Sequence, residues 1–169
     1  MAVSDAQREE VARLLGREPR GLEDIAVAGP DGQPMVIRVA ALVDDKPFPT
    51  LFWLVDADIN YRIDREEAGG LIAQLQARID SSAELQAAMA EDHSHYIALR
   101  DSFLTPEQRS EIARLGFAQV FEQKGIGGIA DRTRIRCLHT WYAAHLVKEN
   151  TVGCLLDEHW RAQEQADCN

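Results

Sequence analysis

The stretch DIAVAGPDGQPMVIRVA (residues 24–40) reads as two β-strands around a turn. Residues 24–28 and 34–40 are rich in β-branched side chains, and GPDGQ between them supplies the glycines that a hairpin needs. A third apolar run, TLFWLV (50–55), follows KPFPT, where two prolines bracketing Phe48 forbid a helix and set the chain up for a strand. Outside this region the pattern is helical. Ser4 and Asp5 precede Val11, Leu14 and Leu15 at helical spacing, a first helix that Gly16 stops. Beyond residue 55, Asp64 is placed to cap a helix from Arg65 to about Ile79. Ser81 or Ser82 caps another to about Phe103, and Thr105-Pro106 opens a third. KGIGGIADRTRIR (124–136) interrupts them as a glycine-rich loop with a cationic end, and a last helical pair covers roughly 138–147 and 152–163. With no internal repeat and no linker, the pattern predicts a single α+β domain over residues 1–169. It should be a small antiparallel sheet of about three strands packed against a predominantly helical C-terminal two-thirds.

The bulk properties agree with one core. A chain of 169 residues with 46% hydrophobic and 27% charged residues can bury a sizeable interior. The net charge of −10 disfavours nucleic acid and anionic lipid as partners, so an anionic ligand needs a local basic pocket. No apolar run approaches the length of a membrane span, and the charged amphipathic start MAVSDAQREEVARLL is not a signal peptide. Three cysteines (Cys137, Cys154, Cys168) form no disulfide framework, which favours the reducing cytoplasm. Oligomeric state is not legible.

Chemistry concentrates in a few places. On the predicted helix DHSHYIALRD, His93, Tyr96 and Arg100 share one face beside the apolar stripe of Leu85, Met89 and Phe103, while His95 points away. Unpaired burial of such groups is costly, so they serve either a site or a structural network. Glu67 is a candidate general base or a partner for Arg100, and Gly70, one turn on, would allow close approach of a backbone or ligand. Gly125, Gly127 and Gly128 could turn backbone N–H groups toward an anion, and Arg132, Arg134 and Arg136 would share one side of an extended chain. RCLHTWYAAH (136–145) holds a thiol and two imidazoles. Cys137 and His139 can share a site only if the segment is extended, or just turning into its helix, at that point. Cys137, His139 and a distant His93 could then bind zinc. Alternatively Cys137 could be a nucleophile activated by Arg136, a helix N-terminus and an imidazole, or simply a small core residue.

Taken together, GREPRG (16–21), PFPTLFWL (47–54), Glu67-x-x-Gly70, HSHY…R (93–100), GIGG (125–128) and RCLH (136–139) resemble the DUF501 family of bacterial proteins over about residues 10–157. Arg17, Phe48, Pro49, Thr50, Glu67, Gly70, His93, Tyr96, Arg100, Cys137, His139, Asn150 and Gly153 match its pattern. The chain departs from it at Arg136, where the pattern has lysine, and at Thr151, where it has proline; the spacing from His139 to His145 is one residue longer. The resemblance implies no activity. The expectation is an enzyme, a hydrolase or transferase acting on a small anionic, phosphorylated or carboxylated compound. Its site would be built from Cys137, His139, His93, Tyr96, Arg100 and Glu67, with an anion drawn to Gly125, Gly127, Gly128, Arg132, Arg136 and Arg100. The competing expectation is a non-catalytic adaptor in which the same polar residues form a buried network.

Overall fold

A computed structural model describes residues 2–168. The predicted hairpin is present: β1 (Leu22–Ala28) pairs antiparallel with β2 (Pro34–Val39) around the GPDGQ turn. The third apolar run supplies an antiparallel strand on the other edge of β2, opposing Val36 to Leu54 and Arg38 to Phe52. Between them lies a short second hairpin, so the chain-order labels are β3 (Leu42–Val43), β4 (Lys46–Pro47) and β5 (Phe52–Leu54), with sheet order β1-β2-β5. Helix α1 (Asp5–Leu15) carries a reciprocal Ser4–Gln7 capping box and ends on Gly16 in the left-handed region, as its sequence dictates.

The sheet is covered on both faces. On one, Ile37 and Val39 of β2 pack with Val11, Leu14 and Leu15 of α1. On the other, Val36, Phe52 and Leu54 enter the main core with the helices that follow. This two-sided burial is why β2 reads as a nearly continuous apolar run rather than an alternating one.

Seven more α-helices follow among the described residues: α2 (Ala57–Ala68), α3 (Leu71–Asp80), α4 (Ala83–Ser102), α5 (Pro106–Arg114), α6 (Ala118–Gln123), α7 (Leu138–Val147) and α8 (Thr151–Asp167). Two expectations are corrected here. The helix expected from Arg65 begins eight residues earlier, because Asp56 and not Asp64 caps it, its carboxylate accepting from the Ile59 N–H. It also stops at Gly69-Gly70, where Gly70 takes φ 87° and starts a new helix. Gly70 is therefore a left-handed break and not a site of close approach; nothing lies within 4 Å of the position its Cβ would take. Helix α6 was not expected, being a six-residue turn without a capping side chain.

Helix α7 is the centre of the body. Leu138, Trp141 and Ala143 are fully buried, and the helix contacts β5, α8 and α2. An all-round apolar helix belongs in the middle of a fold. Among the described residues, no helix is long and apolar enough to cross a membrane.

Candidate metal centre

Helix α7 begins one residue after Cys137, whose backbone is still extended (φ −156°, ψ 128°). This meets the condition set by the sequence: the thiol and the first-turn imidazole of His139 come together, with Cys137 Sγ 3.6 Å from His139 Nδ1. Helix α2 brings two carboxylates to the same point. Glu67 Oε1 lies 3.3 Å from His139 Nδ1 and accepts a hydrogen bond from the Leu138 N–H at 2.7 Å. Asp64 Oδ1 lies 2.9 Å from His139 Nε2. Glu67, Cys137 and His139 thus place three potential ligand atoms within 4.8 Å of one another, all partly accessible.

The protonation states follow from these neighbours. Burial alone would push the Cys137 thiol up, but the hydrogen bond to His139, the Thr140 backbone and the imidazole charge outweigh it, so its pKa falls below the ordinary thiol value. The His139 imidazole is raised to about 9, chiefly by its hydrogen bond to Cys137; burial opposes this, while the charges of Cys137, Glu67 and Asp64 add to it.

The other expected residues serve different ends. His93 is fully buried; its Nδ1 accepts the Ile126 N–H at 3.0 Å, and its ring meets Trp141 edge-on with centroids 5.0 Å apart. It therefore packs on α7, outside the group of three donors. Tyr96 Oη accepts the Leu51 N–H at 2.6 Å. Arg100, 1% exposed, donates to the carbonyls of Pro49, Phe121 and Lys124. This face of α4 binds the PFPT stretch and the loop after α6, so its polar residues form a structural network, one of the two roles open to them from the sequence. Arg100 is not free to clamp an anion.

The glycine loop forms a 3₁₀ turn at Ile126–Gly128 and closes on itself. The Gly125 N–H donates to the Ile129 carbonyl, the Gly128 N–H to the Gly125 carbonyl, and the Ile126 N–H to His93. Three of its four amide donors are thus engaged within the protein, so the loop is not an open anion cradle. Its first glycine has a packing reason: a Cβ there would stand 2.2 Å from His93 Nδ1. The three arginines do not share one side of an extended segment, because the chain turns at Arg132–Thr133. Arg132 points toward a cavity beside Ser94 and Ile97 of α4, while the Arg136 Cβ lies 3.7 Å from where a Gly127 Cβ would be, near the start of α7. His145 lies apart, its Nε2 2.8 Å from Asp157 Oδ2 and its Nδ1 accepting from the Asn150 N–H. Asp64 was missed as a site residue. The available signal was the Asp64-x-x-Glu67 spacing, which puts both carboxylates on one helical face.

A family model described as "Protein of unknown function (DUF501)" matches residues 25–158. The chain belongs to the DUF501 family. The match contains Asp64, Glu67, Cys137 and His139 and leaves GREPRG outside it. No curated protein and no solved structure matches the chain.

Proposed function

We propose that Glu67, Cys137 and His139 bind a single zinc-like metal ion with an open coordination position. On this reading the DUF501 chain is a metal-dependent hydrolase or transferase acting on a small anionic compound. One observation carries the metal. At zinc's usual bond lengths, a tetrahedral nitrogen–sulfur pair is about 3.6 Å apart and a nitrogen–oxygen pair about 3.3 Å. The corresponding separations here are 3.6 Å for His139 Nδ1 to Cys137 Sγ and 3.3 Å for His139 Nδ1 to Glu67 Oε1. The outer contacts support the same ion. A ligating histidine commonly donates its second N–H to a carboxylate, as His139 Nε2 can to Asp64, and a ligating carboxylate is itself hydrogen-bonded, as Glu67 is by Leu138 N–H.

Three protein donors leave room for a water or a substrate oxygen, and a metal bound in this way activates the one or polarises the other. Arg136, exposed near the start of α7, is the cation available to attract an anionic substrate.

The hydrogen-bonded Cys137–His139 pair, with its lowered thiol pKa, also suits a nucleophilic cysteine, with Asp64 orienting His139. Metal analysis of protein purified without an affinity tag, combined with alkylation rates of the three cysteines, separates the two. A bound ion should appear at about one equivalent, disappear in Cys137→Ser and His139→Ala, and protect Cys137 until a chelator is added. Metal-free protein whose Cys137 alkylates faster than the exposed Cys154 and Cys168 would replace the metal by the nucleophile. A Cys137 inert with and without chelator would sink both.

A further inference from the structure

Two motifs that the metal centre leaves unused, GREPRG and PFPTLFWL, meet on the α1 side of the sheet. With the β3–β4 hairpin they enclose a cavity of about 150 Å³. Its inner surface is apolar, with Ile37 and Val39 from β2 and a wall of Phe48 stacked on Trp53, ring centroids 5.7 Å apart. Its polar lining is cationic. Arg17, Arg20 and Lys46 contribute three positive charges against the single carboxylate of Asp44, which pairs with Arg20. Among the described residues neither Arg17 nor Lys46 has an ion-pair partner. The Arg17 guanidinium instead lies over Trp53, 5.4 Å from the ring centroid, and the buried Trp53 Nε1 has no acceptor.

The backbone around this cavity is held in unfavourable conformations. Asp44 and Asp45 both take positive φ (51° and 60°), a turn normally given to asparagine and glycine. Gly21 lies so close to the hairpin that a Cβ would stand 2.7 Å from Val43 Cγ2. The close fit brings the GREPRG loop and the hairpin together around the aromatic wall.

We propose that this cavity binds a small organic anion, with a planar apolar body against Phe48 and Trp53 and a carboxylate or phosphate group met by Arg17 and Lys46. Size and charge both select it. An apolar cavity of about 150 Å³ accepts one benzene-sized ring. Unpaired cations on a protein of net charge −10 mark a local anion preference against the overall field. The Arg17 guanidinium already lies over the Trp53 ring, which places a cation at the edge of the aromatic wall. The site is independent of the metal centre, which α7 and α2 build on the other side of the sheet.

The test is a titration of the ¹⁵N-labelled full-length chain with phenyl phosphate, following the indole N–H signals of Trp53, Trp141 and Trp160. The Trp53 signal is assigned from Trp53→Phe. It should move saturably, and Arg17→Gln with Lys46→Gln, both at exposed positions, should weaken binding at least about tenfold. A Trp53 signal unmoved at tens of millimolar, roughly the weakest binding worth claiming, overturns the proposal. So does benzyl alcohol binding as tightly as phenyl phosphate, which removes the anion, or inorganic phosphate binding as tightly, which removes the ring. Chelator in a parallel titration should leave the result unchanged. Binding that vanishes with chelator would reassign it to the metal centre and overturn the cavity site, whereas failure of the titration leaves the metal content of the protein as it was.

Discussion

His93 shows how a residue typical of active sites can be bound into a core. Its imidazole is fully buried, and its Nδ1 accepts the Ile126 N–H, so the neutral ring carries its proton on Nε2, which has no partner among the described residues. Burial, aided by the charge of Arg132 and opposed by Asp131, lowers its pKa to about 4. The unfolded chain titrates near the ordinary value of 6.5, so between about pH 6.5 and 4 it binds a proton that the folded chain refuses. Stability contributed by this group is therefore whole above about 6.5 and falls as the pH drops toward 4, by roughly 3 kcal/mol in all. Urea unfolding from pH 7 to 4 should show a steeper loss for the wild type than for His93→Phe. Equal slopes would mean that His93 titrates normally. At Gly125 the prediction is steric: Gly125→Ala drives a methyl into that imidazole and should cost about 1–3 kcal/mol. Gly70→Ala meets no atom and should cost only the left-handed strain, about 1 kcal/mol. Thermal unfolding of the two variants ranks them, and the reverse order would contradict the packing described.

At the scale of elements, α4 acts as a clamp. Its buried face presents Met89, His93, Tyr96 and Arg100 in helical register, and the three polar members each hold backbone from another segment. Arg100 sits against the carbonyls of Phe121 and Lys124 at the C-terminal end of α6, where the helix dipole favours a cation. Arg100→Met keeps most of the volume but strands three carbonyls, and should destabilise by roughly 3–5 kcal/mol without altering metal content. Chemical denaturation together with metal analysis checks both halves; loss of metal without loss of stability would place Arg100 in the site after all. A second clasp joins α7 to α8. Asp157 receives the Tyr142 hydroxyl at 2.8 Å and faces His145, while Asn150 caps α8 and donates to the Trp141 carbonyl. A Cβ on Gly153 would stand 2.1 Å from the His145 ring, which accounts for the glycine there.

On the scale of the whole molecule, the metal reading ties α2 to α7 across a gap of some seventy residues in sequence, so an ion bound only by the folded chain must stabilise all of it. Zinc at about 100 times its dissociation constant should add roughly 2.7 kcal/mol, a rise of several degrees in Tm that Glu67→Ala abolishes. Unchanged melting with and without chelator would count against the site. The hairpin, the strand after KPFPT, the caps at Ser4 and Thr105 and the shared face of His93, Tyr96 and Arg100 were all legible, and the cap of α4 was narrowed to Ser81 or Ser82, because each rests on residues near one another in sequence. The condition that Cys137 must be extended for the thiol to meet His139 was legible for the same reason. What those side chains do was not. Asp64 and Glu67 reach His139 only because α2 packs beside α7, and Arg100 is occupied only because three carbonyls from distant segments close around it. Local pattern sets which way a side chain points, through the helical and strand periods. Tertiary packing sets what it finds there, and that decided which polar residues became structure and which were left with donor atoms to spare.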